Sequence, residues 1–284
     1  DFMAVVFAFC CLVFAACNDL VFKVFTRKQR SKGSFISLIG ITWLLALVWL
    51  PRSPESNPLM TVLWGCISGV FSVSSNILLM EAMERQSAGV CSTIYRLNMI
   101  LVVLGATLFL GETLSILQWT GILLAVLAVL AFLPGKQDTG AADGVRKTGF
   151  YLVLAAAVLR AGMGLSYKYG FLQAADRNGV TLINNLFWIG GGILYALLRE
   201  RQLHLPGRKL LLYGVFSGLL VAGIVFFMAA SLHLGNAGIV LPIAQMSFLG
   251  TLLLSVLILK ERIDVMKIAA VLCGAGAILL LING

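Results

Sequence analysis

Ten stretches of this chain are apolar for long enough to cross a lipid bilayer, and few folds accommodate that. They cover residues 2–22, 33–50, 59–80, 87–110, 114–133, 148–175, 179–198, 210–232, 235–259 and 265–282. A bilayer core calls for about 20 apolar residues of helix. The runs are continuous and lack the alternation of membrane strands, so helices are the expected element. The links are short and most carry polar residues, Gly or Pro; the longest, residues 134–147, parts five spans from five. The first run is too long for a signal-peptide core and no small-residue cleavage site follows it, so it is expected to remain as the first span. Only 12% of residues are charged while 60% are hydrophobic, about half the charge of an ordinary soluble domain. A soluble enzyme, a disordered chain and a nucleic-acid binder are thereby excluded. The fold class is an all-α integral membrane protein with ten transmembrane helices.

The net charge of +9 is explained by its placement. Loops after odd-numbered spans hold 15 Lys and Arg, loops after even-numbered spans only Arg52 and Arg177. By the positive-inside rule the odd loops face the cytoplasm and both termini lie outside. The two halves also superpose. A shift of 149 residues places Ser87-Ala88-Gly89 on Asn236-Ala237-Gly238 and Leu110-Gly111-Glu112 on Leu259-Lys260-Glu261. A shift of 145 places Phe22-Lys23 on Tyr167-Lys168. Five spans per unit is an odd number, so the second unit runs upside down relative to the first. The expected organisation is one five-helix repeat over 1–134, a polar linker over 135–147 and an inverted five-helix repeat over 148–284. Inverted repeats place a site near the bilayer midplane between halves that rock about it.

In residues 80–121 and 228–274, with Ala-Gly near the start and Leu-Gly-Glu or Leu-Lys-Glu at the end of spans four and nine, the chain resembles the drug/metabolite transporter superfamily, in particular its EamA-type members. That resemblance implies a carrier of amino acids, metabolites, sugars, nucleotide sugars or choline-like solutes. Pro242 stands in span nine where such members often have proline, but span four has Thr93 at the matching place. Members usually keep both termini in the cytoplasm, opposite to what the loop charges indicate here.

An ionisable group at the bilayer centre costs about 2.5–3.5 kcal/mol or more, so it faces a cavity or a partner. Arg96 in span four and Arg160 in span six are both near mid-depth. Arg160, Gly164, Tyr167 and Lys168 share one helical face, mirrored by Ala15, Asp19, Phe22 and Lys23 in span one. The sharper reading gives Arg96 and Arg160 to a substrate carboxylate or phosphate, the bidentate role that suits arginine. Tyr95, Tyr167 and Phe22 would form aromatic walls, with Asn76, Gln245 and Met246 completing the site. The plainer reading pairs one arginine with Asp19 or Glu81 as a strut. Asp19 is the candidate for a coupling proton. Lys23 and Lys168 are read as snorkelling lysines, Glu81 with Glu84 and Arg85 as a solvated turn, and His233 as an exposed loop residue. Glu112 and Glu261 are read as fixing loops, and Asn184, Asn185 and Trp188 as bonding across helices.

The six cysteines all fall within spans and are expected as free thiols, with no CxxC or CxH spacing for a metal. Gly214-Val215-Phe216-Ser217-Gly218 lacks the serine-nucleophile spacing, and the span interiors lack an aspartyl dyad or an acidic metal cluster. The sequence therefore predicts no enzyme, no cofactor and no metal. It predicts an alternating-access carrier in a bacterial inner membrane, whose partners are a small-molecule substrate and membrane lipid, with proton coupling as an option. The substrate is an amino acid or other anionic or zwitterionic solute. A carrier of sugars, cationic drugs or choline-like solutes, a lipid-linked sugar flippase and a passive channel remain as alternatives.

Overall fold

A computed structural model of the chain describes residues 2–26, 31–85, 91, 94–96, 98–131, 143–202, 207–247, 249–250, 254 and 265–283. Among the described residues ten α-helices follow one another, one for each apolar run. They are α1 (Phe2–Thr26), α2 (Lys32–Leu47), α3 (Pro58–Arg85), α4 (Asn98–Phe109), α5 (Ile116–Ala131), α6 (Asp143–Leu172), α7 (Arg177–Tyr195), α8 (Arg208–Leu234), α9 (Ala237–Gln245) and α10 (Val265–Asn283). Residues 94–96, just before α4, are helical as well. Five helices, α1, α3, α6, α7 and α8, are long and apolar enough to cross a membrane. The 16 residues of α2 rise about 24 Å at 1.5 Å each.

Two spans differ from expectation. The sixth helix begins at Asp143, inside the stretch read as a polar linker, whose preceding residues lie outside the described ones. The ninth run is interrupted: α9 stops at Gln245 and Met246 forms a turn. Ser87-Ala88-Gly89, Thr93 and the Leu259-Lys260-Glu261 end of span nine lie outside the described residues.

Large apolar side chains on the outer faces, such as Leu108, Phe109, Leu123 and Leu272, are exposed, a surface suited to hydrocarbon. The interior holds many small residues, including Ala16, Ala156, Ala161, Ala229 and Ala277, which let helix axes approach closely.

The packing pattern repeats when the halves are exchanged. The α3–α6 contact is matched by α8–α1, α3–α7 by α8–α2, and α4–α6 by α9–α1. Three further pairs, α2–α7, α4–α9 and α5–α10, join a helix to its own counterpart. Along α2 and α7, Gly33 meets Ala196, Ser37 meets Gly192 and Gly40 meets Ile189, an antiparallel register. At the middle of that crossing Trp43 and Trp188, counterparts under the shift of 145, have ring centroids 5.9 Å apart. Asn185 donates to the carbonyl of Gly40, its counterpart 145 residues earlier. Contacts between counterparts arise where a two-fold axis passes, so these crossings place the axis and the mid-depth of the bundle. The chain is a ten-helix bundle of two inverted five-helix repeats.

Candidate functional site

The centre is built by the interruption of α9. Pro242 lies inside this short helix and brings no backbone N–H. The helix ends three residues later, where the amide of Met246 turns back to the carbonyl of Ile243 at 3.1 Å. A helix end leaves its last carbonyls without intrahelical partners. Arg96 meets one of them: Nη1 donates to the carbonyl of Gln245 at 2.9 Å and to Oγ of Ser247 at 2.6 Å. Its Nη2 donates to Oδ2 of Asp19 in α1. One guanidinium thus ties α1 to the break after α9, as a cation at the negative end of a helix dipole. Arg96 and Gln245 lie 149 residues apart, which makes them counterparts and puts the contact on the two-fold axis, at mid-depth. The Arg96 side chain is 10% exposed and that of Asp19 34%.

The other expected residues distribute around this centre. Arg160 is half-buried in the middle of α6, with Nη1 3.4 Å from the sulfur of Met163. Among the described residues no carboxylate pairs with it. Half-buried Phe22 meets Phe35 edge-on at 5.6 Å. Tyr95 shares a hydrogen bond of 3.1 Å with Ser75, whose hydroxyl donates to the carbonyl of Ala156 in α6. Asn76 donates to the carbonyl of Ser72 in its own helix. Gln245 and Met246 are buried, and Met246 belongs to a small apolar cluster with Leu12 and Met99. Tyr167, expected as an aromatic wall, is fully buried in this conformation: its hydroxyl accepts from Nδ2 of Asn184 at 2.9 Å and its ring tilts against Phe171. The structure therefore brings Asp19, Arg96 and Gln245 together, and leaves Arg160 as a second cation on another helix.

Charged residues also close the two ends of the bundle. On the even-loop side the carboxylate of Glu112 accepts from the backbone N–H groups of Ala237 and Gly238, both at 2.9 Å, capping the N-terminus of α9. Lys168, read as snorkelling, instead donates to the carbonyls of Leu232 and Gly235 at 3.2 and 2.6 Å, because the last turn of α8 offers unpaired acceptors beside it. A cleft of about 420 Å³ opens here, lined by Arg52, Glu55, Phe171, Asp176, Arg177 and His233.

On the odd-loop side Glu81 corrects the sequence reading. It is buried rather than part of a solvated turn. Arg85 reaches it at 2.6 Å, the hydroxyl of Tyr195 donates to it, and Lys32 and Arg199 approach to 3.8 and 3.9 Å. Nearby, Glu200 accepts from Oγ of Ser31 at 2.6 Å and from the N–H groups of Lys32 and Gly33 at 2.8 and 3.2 Å, holding the start of α2. Sequence reasoning passed over Ser247, Ser75, Glu200 and the bond from Ser217 to Asn18 at 2.6 Å. The one available signal was Pro242 shortly before the polar pair Gln245 and Ser247.

Comparison with known proteins gives three findings. The profile of a family described as the EamA-like transporter family matches residues 2–133 and again 147–283. No curated protein matches the chain. A solved structure described only as "Crystal structure of protein" superposes with a TM-score of 0.79, covering 98% of this chain and 95% of that one at 16% identity. At that identity the likeness speaks for the fold.

Proposed function

Because this chain belongs to the EamA-like transporter family, we propose that it is an alternating-access carrier for a small metabolite bearing a carboxylate, an amino acid or similar zwitterion above all. Membership carries the coarser part, a membrane transporter of small solutes. The finer part rests on Arg160, a half-buried cation midway along a membrane-spanning helix, without an acidic partner among the described residues. Such a charge needs an anion, and a cargo carboxylate supplies it. Phe22, Tyr95 and Asn76, all half-buried, are the side chains that would flank the cargo. Tyr167, Gln245 and Met246 would join once the halves rock apart.

Arg96 enters this proposal as the group that orients Asp19, and Asp19 as the coupling acid that takes a proton when the ion pair opens. A cationic or choline-like cargo is the second reading. It is favoured by the partial exposure of Asp19 beside the centre, where a cation could compete with Arg96. The proposal places the carrier in a bacterial inner membrane, with units 1–134 and 148–284 as the halves that move.

The test is uptake into liposomes by the purified chain and its Arg160→Ala variant, with amino acids, organic anions, sugars and choline offered in parallel. Saturable uptake of a carboxylate solute by the parent, lost in Arg160→Ala at an unchanged melting temperature, is the expected result. Undiminished carboxylate uptake by the variant would remove Arg160 from the site. Uptake confined to cations or sugars would refute the anionic cargo.

A further inference from the structure

Three cations gather around one acid at the odd-loop end of α2, α3 and α7. Arg85 closes α3, Lys32 opens α2, and a π-helical turn over Ala196–Glu200 carries Arg199 at the end of α7. All three face Glu81, at 2.6, 3.8 and 3.9 Å. The second acid in reach, Glu200, is taken up by Ser31 and the backbone at the start of α2. Arg201 follows, exposed, in a left-handed conformation with φ 54°. The balance among these described side chains is positive. Arg199 is the open member: its side chain is 63% exposed, and 3.9 Å to Glu81 is beyond hydrogen-bond length, so its donors are available.

The neighbouring surface shows what the charge faces. Leu194, Leu197 and Leu198 precede Arg199 and are all exposed. At spacings of three and four they form one apolar stripe, which in a membrane protein lies against acyl chains. A guanidinium directly beyond an acyl-facing stripe sits at headgroup depth. The π-helical turn widens the helix at this point, a local device often found at functional sites.

We infer that this cluster binds the phosphate of an anionic phospholipid, with Arg199 and Arg85 as its donors and the Leu194–Leu198 stripe against its acyl chain. The inference goes beyond the transport reading and stands whatever the cargo is. Glu81 then holds the cations in place in the absence of lipid and competes with the headgroup for them.

The full chain purified in detergent provides the test, through the melting temperature during titration with phosphatidylglycerol, phosphatidylcholine or inorganic phosphate. Phosphatidylglycerol should stabilise the parent more than phosphatidylcholine does, and millimolar phosphate should have no comparable effect. Arg199→Gln should weaken the phosphatidylglycerol midpoint about fivefold, the value of one juxtamembrane cation. Glu81→Gln should move the midpoint the other way, to tighter binding, even if its lipid-free melting temperature falls. A purely structural cluster would lower lipid-free stability in Glu81→Gln and leave both midpoints unmoved, and that outcome overturns the inference. So does equal stabilisation by the two lipids. Stabilisation by phosphate matching that by phosphatidylglycerol would make the ligand a soluble anion and dismiss the lipid.

Discussion

Asp19 and Arg96 depend on each other, and each should register the loss of its partner. Asp19→Asn leaves the guanidinium of Arg96 with the carbonyl of Gln245 and the hydroxyl of Ser247 but without its carboxylate. Stranding a mostly buried charge in this way should lower stability by about 1–3 kcal/mol. Arg96→Gln combined with Asp19→Asn should recover part of that loss, a coupling that thermal unfolding of the four members of the cycle would measure. Additive losses would mean that the pair contributes nothing as a pair. A mid-span arginine is conspicuous in a sequence, so Arg96 and the option of Asp19 as its partner were legible. The carbonyl of Gln245 was not, since a backbone acceptor freed by a helix break has no letter of its own. Glu81 misled for a related reason: Glu84 and Arg85 beside it in sequence suggested a wet turn, while Tyr195, 114 residues away, brings it a hydroxyl inside the bundle.

Among the elements, α2 and α7 approach until backbone faces backbone, and this crossing should tolerate little added volume. A Cβ on Gly33 would lie 2.7 Å from the backbone nitrogen of Ala196 and from the carbonyl oxygen of Gly192, neither of which can rotate away. Gly33→Ala should therefore destabilise by about 1–3 kcal/mol. Gly190 on α7 has nothing within 4 Å of its would-be Cβ, and Gly190→Ala should leave the melting temperature level or slightly raised. Equal responses from the two variants would show that this crossing is looser than described. Existence and order of the helices were readable from apolar run length alone, because lipid forces backbone bonds to close within each segment. Their ends were less so. The helical residues from Asp143 carry too many polar groups for hydropathy to include them, and the stop of α9 at Gln245 follows Pro242, which hydropathy does not register.

For the whole molecule the decisive question is which way it sits. Fifteen basic residues in odd loops against two in even loops predict opposite labelling of two exposed positions. In a background without the native cysteines, Glu55→Cys should react with an impermeant maleimide on intact cells, and Arg201→Cys only after the membrane is opened. The reverse pattern would put both termini in the cytoplasm. Symmetry carries a further consequence. Two identical inverted halves would give inward-open and outward-open forms of equal energy, since exchanging the halves turns one form into the other. This chain is not so degenerate. Asp19 and Arg96 belong to the first half, and the mirrored places in the second hold Gly164 and Gln245. In the carrier proposed above, an ion pair made in one form would have no twin in the other, so the empty carrier would have a resting side, and a cargo or proton that competes for Asp19 would tip it over.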